Sequence, residues 1–212
     1  MIWENFLKAV RNLSVIDTEA LYAGAGKRAS IEVQLSRWQK AGKLIQLKRG
    51  LYALADTYRK INIYEPYLAS LLRKPSYLSL EKALEFHNLI PEGVRVYTSV
   101  TTKLPVTFKT GLGEFEYNHI QKDFFWGYSS VTLNGQTAYV AFPEKALLDF
   151  FYLRHTPVTP EYIDELRLQN LEDLSEKRLV EFASRMNKKR LLSAAGIIKQ
   201  MVLEEKKRLK KL

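Results

Sequence analysis

The sequence predicts an α+β fold in two parts: an N-terminal helical unit closed by a hairpin, then a mixed domain with an antiparallel sheet and C-terminal helices. Three observations predict it. Residues 1–54 hold three apolar-periodic stretches, followed by two short apolar-rich runs on either side of Lys48-Arg49-Gly50. Between residues 94 and 142 lie five strand-like runs, the last two joined by Asn134-Gly135, a strong hairpin turn. From Pro143 onward the apolar residues recur at helical spacing. The division falls at about residue 60, giving domains 1–60 and 61–212, the latter with strands over about 94–142 and helices over about 143–211.

Ile2, Phe6 and Val10, spaced by four, mark a first helix, and Asp17 is placed as an N-cap for a second beginning at Thr18. Gly24 and Gly26 end it. Ser30 reads as the N-cap of a third helix whose Ile31, Leu35 and Trp38 share one face, with Gly42 as its C′ residue. That assignment turns Gln34, Arg37 and Lys40 to the other side. Lys27 and Arg28 stand just before the helix, where backbone N–H groups also favour anions. Residues 44–47 and 51–54 pair across Lys48-Arg49-Gly50, a basic hairpin tip in which glycine provides the turn. Residues 56–62 connect to a short helix over 64–72, stopped by Arg73-Lys74-Pro75. Ser79 is placed to cap a helix running through His87.

The five strands follow at 94–101, 106–110, 113–120, 128–133 and 136–142. Pro143 at the first helical position, with Lys145 and Asp149 four apart, opens an apolar helix through Leu153. Three further helices are expected. In the last, over 188–212, Leu191, Leu192, Ala195, Ile198, Val202 and Leu209 form one side and lysines the other.

Composition bounds the function. The 212 residues are 46% hydrophobic, enough to build one sizeable core or two small ones, and no apolar run approaches the roughly 20 residues that span a bilayer. The N-terminus lacks the order of a signal peptide, so the expected compartment is the cytoplasm, with no membrane partner. With no cysteine, disulfides, thiolate metal sites and cysteine nucleophiles are excluded. The net charge of +10 is unevenly spread: residues 1–60 carry 11 Lys/Arg against 5 Asp/Glu, residues 61–184 carry 12 against 16, and residues 185–212 carry 10 against 2. Two basic ends flank an acidic middle, and a local positive field is what nucleic-acid binding requires.

Helix, turn, helix and hairpin in this order, with the charge on the third helix and the hairpin tip, are the pattern of a winged helix-turn-helix domain. On this reading Gln34 and Arg37 read base edges in the major groove, while Lys27, Arg28, Lys40, Lys48 and Arg49 hold phosphates of double-stranded DNA. Catalytic signals are weak. His87, His119 and His155 are isolated, and no metal or cofactor is expected. Glu114 and Glu116 share a strand face near His119 and Asp123, an arrangement ordinary for the wet side of a sheet, although Glu114, Glu116 and Asp123 also suit a metal-dependent nuclease. The aromatic run Phe124-Phe125-Trp126-Gly127-Tyr128 reads first as core and second as a stacking platform.

Three segments together resemble the AbiEi family, the antitoxins of type IV toxin-antitoxin systems of the AbiE abortive-infection kind used in phage defence. They are Leu35-Ser-Arg-Trp-Gln-Lys-Ala-Gly-Lys-Leu44 with Lys48-Arg-Gly-Leu-Tyr52, Tyr77-Leu-Ser-Leu-Glu-Lys-Ala-Leu84 followed by His87-Asn-Leu-Ile-Pro91, and Ala141-Phe-Pro-Glu-Lys-Ala-Leu-Leu-Asp149. The resemblance implies a non-enzymatic antitoxin whose winged helix represses its own operon; because winged-helix proteins usually read inverted repeats as pairs, such repeats are expected in the promoter. It also implies that the second domain counteracts a cognate AbiEii-type nucleotidyltransferase toxin, with or without a stable complex. It assigns no residue to toxin antagonism, and Glu144, Lys145 and Asp149 read mainly as scaffold. The alternative is a winged-helix transcription factor whose second domain senses a ligand or self-associates.

Overall fold

The computed structural model describes residues 2–24, 28–155 and 158–209, and the chain is a mixed α+β protein. Its first part runs α1 (Trp3–Val10), β1 (Ile16–Asp17), α2 (Thr18–Gly24), α3 (Arg28–Lys40), β2 (Leu44–Lys48) and β3 (Leu51–Leu54), with the three strands ordered β1-β3-β2 and antiparallel throughout. The spacing of Phe6 and Val10 on α1 and of Ile31, Leu35 and Trp38 on α3 places all five in a small core with Ile16, Leu44 and Leu54. Aromatic rings dominate it: Trp38 lies 4.6 Å from Phe6 and 5.2 Å from Trp3, centroid to centroid.

Helix ends follow local chemistry where that chemistry is unopposed. Asp17 accepts from the Glu19 N–H at 3.0 Å at the start of α2. Gly42, at φ +68°, closes α3: its N–H donates to Gln39 and the Lys43 N–H to Trp38, the two bonds of a left-handed glycine stop. Ser30, however, is not the cap of α3, which already includes Arg28.

The second part contains α4 (Glu65–Leu72), β4 (Ser76–Leu78), α5 (Leu80–Phe86), β5 (Val96–Thr101), β6 (Val106–Thr110), β7 (Gly113–His119), β8 (Tyr128–Leu133), β9 (Gln136–Ala141), α6 (Pro143–Leu153), α7 (Pro160–Glu165), α8 (Glu176–Met186) and α9 (Lys189–Leu209). The sheet is not antiparallel as expected but mixed, ordered β6-β7-β5-β4-β9-β8, with β4/β9 and β5/β7 parallel. The reason is β4. Its three residues are all buried, so they carry no alternation, yet the strand inserts at the centre and separates β5 from β9.

Helix α6 packs against α5, α8 and α9, and α4 lies against β4, β5 and β9. On α9 the buried side is Leu191, Ala194, Ala195, Ile198 and Val202; Leu192 and Leu209, expected there, are exposed. The hairpin β2–β3 serves both cores: Leu44 and Leu54 join the small one, while Leu47, Leu51 and Ala53 belong to the large one. No helix among the described residues is long and apolar enough to cross a membrane.

Candidate nucleic-acid interface

Burial of Ile31, Leu35 and Trp38 dictates what α3 presents outward. Arg37 and Lys40 are exposed, as the sequence predicts, whereas Gln34 flanks the packed face and is half-buried. Two residues not singled out in the sequence, Val33 and Ser36, are exposed on the same side as Arg37 and Lys40. The signal was available in the spacing 33, 36, 37, 40, but a valine does not draw attention as a surface residue. Val33 is 50% exposed, and an apolar group there suits contact with a thymine methyl.

The remaining expected contacts divide three ways. Lys27 lies outside the described residues. Arg28 is exposed but already engaged: it pairs with Glu32 at 3.2 Å and Glu19 at 3.5 Å and stacks on Tyr22 at 4.5 Å, and its hydrogen bond to Glu32 raises its pKa. Lys48 turns inward, donating to the carbonyls of Leu71 at 3.0 Å and Leu72 at 2.9 Å, the C-terminal end of α4, where a cation complements the helix dipole. Burial, then the neighbouring cation Lys74, lower its pKa; Asp17 opposes this, while Lys103 and Arg73 add to it. Arg49 alone of the hairpin-tip cations is exposed.

Gly50 holds that tip in place. At φ +81° its backbone turns, and its carbonyl accepts from the Thr18 N–H at 3.0 Å and the Thr18 hydroxyl at 3.2 Å. The tip is thereby fastened to the start of α2. Beside it, a cavity of about 410 Å³ gathers Lys48, Arg49, Arg73, Lys74 and Lys103, with Asp17 and Glu19 on its wall. Three of those cations come from the second part of the chain, beyond the reach of any local pattern.

Other candidate groups are occupied by neighbours. Glu114 pairs with Lys109 at 3.4 Å and Glu116 accepts from Asn118 at 2.9 Å. Among the described residues no three His, Asp or Glu side chains gather into a metal-holding group. The aromatic run packs within the protein: Phe124 meets Tyr152, Phe125 and Tyr128 meet Tyr77, and Trp126 meets Phe182.

The most unusual polar cluster is wholly internal. Lys145 and Asp149 on α6 are buried and form an ion pair, which Tyr77 and Ser79 complete: Lys145 donates to the Tyr77 hydroxyl at 2.9 Å, while Tyr77 and Ser79 donate to Asp149 at 3.0 and 2.8 Å. Burial works against both charges, lowering the pKa of Lys145 and raising that of Asp149, while the mutual pairing favours the ions. Glu144, also buried, accepts from the Ser175 N–H at 2.8 Å. The third resembling segment therefore ties β4, α6 and α8 together.

No known family model matches the chain, and no curated protein matches it.

Proposed function

We propose that the first part is a winged helix-turn-helix that binds double-stranded DNA, within an AbiEi-type antitoxin that represses its own operon. The observation that carries the DNA-binding reading is the outward face of α3, with Arg37, Lys40, Val33 and Ser36, standing beside a hairpin whose exposed tip is Arg49. The strand order β1-β3-β2 and the three preceding helices support it. In this reading Arg37 reads bases, with Gln34 at the edge of the contact, and Lys40 and Arg49 position the duplex on its phosphates. Arg73, Lys74 and Lys103 continue the positive surface past the tip. The antitoxin role rests on the three resembling segments alone, which lie in both parts of the chain.

Two measurements test the two halves. Binding to the promoter of its own operon should protect an inverted repeat, with half-sites roughly 34–36 Å apart when two copies bind side by side. Arg37→Ala should lower discrimination between that site and random duplex by roughly ten- to a hundredfold; equal affinity of the wild type for both refutes an operator-specific repressor. Inducing the adjacent downstream gene should arrest growth, and supplying the full chain should restore it. A toxic neighbour that the chain does not rescue refutes the antitoxin role for that pair.

A further inference from the structure

We propose that a cavity in the second part, remote from α3, binds a small organic cation with an apolar body. The cavity lies among α5, the loop after it, β5, β7 and the ends of α6 and α7, and its volume of about 520 Å³ is in the range of small-molecule sites, roughly 300–1,000 Å³. Its wall is formed by Leu84, Val96 and Phe150, which give an apolar body a dry surface. The charged groups on that wall are one-sided. Glu81, Glu92, Glu116 and Glu165 line it against a single cation, Arg154, in a protein whose net charge is +10.

Internal pairing leaves a negative remainder. Arg154 is bridged to Glu81 and Arg167 to Glu92, the latter at 3.1 Å. Glu116 has one oxygen on Asn118, an uncharged donor, and Glu165 makes no ion pair among the described residues. Glu116 and Glu165 thus stand at the cavity without a cationic partner among the described residues, and a ligand ammonium is a donor of the right charge for them. The cavity's negative charge selects against the anionic ligands that the rest of this basic surface attracts, so the cavity and the DNA-facing surface discriminate by opposite signs.

Calorimetry on the full chain, without DNA, tests this independently of the DNA-binding reading. The probes are phenethylamine and tryptamine, with 2-phenylethanol and 3-phenylpropionate as neutral and anionic counterparts. The amines should bind one per chain and at least tenfold tighter than either counterpart. Glu165→Gln, on the exposed rim, and Glu116→Gln should each weaken amine binding several-fold without altering the weak binding of the alcohol, and Leu166→Trp should block both. The inference is overturned if neither amine binds at millimolar concentration, if the alcohol binds as tightly as the amines, or if both glutamine variants retain wild-type affinity while remaining folded by circular dichroism.

Discussion

Removing both members of the Lys145–Asp149 pair should cost much less than the two single removals added together. The two side chains are fully buried, so neither charge can regain water when its partner is lost. Lys145→Met strands a carboxylate that retains only the hydroxyls of Tyr77 and Ser79, and breaking such a pair costs about 3–5 kcal/mol. In Lys145→Met/Asp149→Leu the stranded charge disappears, and what remains is the loss of partners for two buried hydroxyls, about 1–3 kcal/mol each where they find no replacement. Adding Tyr77→Phe and Ser79→Ala should recover much of that remainder. Urea unfolding followed by circular dichroism reads all these values, because a loss of this size lies within the roughly 5–15 kcal/mol of a typical domain. If Lys145→Met costs under about 1 kcal/mol, or if the double variant is no more stable than the sum of the single losses, the pair is not a coupled buried unit and the argument fails.

Four further outcomes are expected. Gly127→Ala should lower stability by about 1–3 kcal/mol, because the residue sits at φ +79° and a Cβ there would lie 2.9 Å from Cγ of Lys145; an unchanged unfolding midpoint would contradict that packing. Arg49→Ala should weaken binding to all duplexes alike and reduce the salt slope by roughly 0.9 per lost phosphate contact. Lys48→Met should instead lower thermal stability by freeing the end of α4, with the salt slope less affected; the opposite pattern would exchange their roles. His87 donates from Nε2 to the Ala141 carbonyl at 2.7 Å, and burial lowers its pKa despite that bond and nearby Glu144. Its contribution is therefore present above the ordinary histidine value of about 6.5 and is lost as pH falls through the lower folded pKa; His87→Gln should flatten that part of a stability–pH curve.

Much of the local architecture is legible in the residues themselves. The stop at Gly42, the turn at Asn134-Gly135, the start at Pro143 and the packed face of Ile31, Leu35 and Trp38 all depend on neighbours within a few positions, where backbone preference and periodicity act directly. The sign and uneven spread of charge are also sequence properties, and they point to α3 and the hairpin tip as the face to consider for DNA. Tertiary structure decided which of those charges are available. Lys48 reads like Arg49 in the chain, but only the folded molecule brings the end of α4 against it and consumes its ammonium.

The same reason accounts for what was missed. Ser79 has the local chemistry of a cap, yet its hydroxyl goes to Asp149, 70 residues away, while Thr98 accepts from the Lys82 N–H and serves the start of α5. Strand β4 is too short and too buried to show a period, so its central place, and with it the mixed sheet, follows from long-range pairing. By itself the sequence determined the helices, most of the strands, their turns and the distribution of charge, since each is set by short-range sterics or by composition. The tertiary structure alone decided the sheet order, the burial of Lys145 with Asp149 and the gathering of four carboxylates around one cavity, because those depend on contacts between segments far apart in the chain.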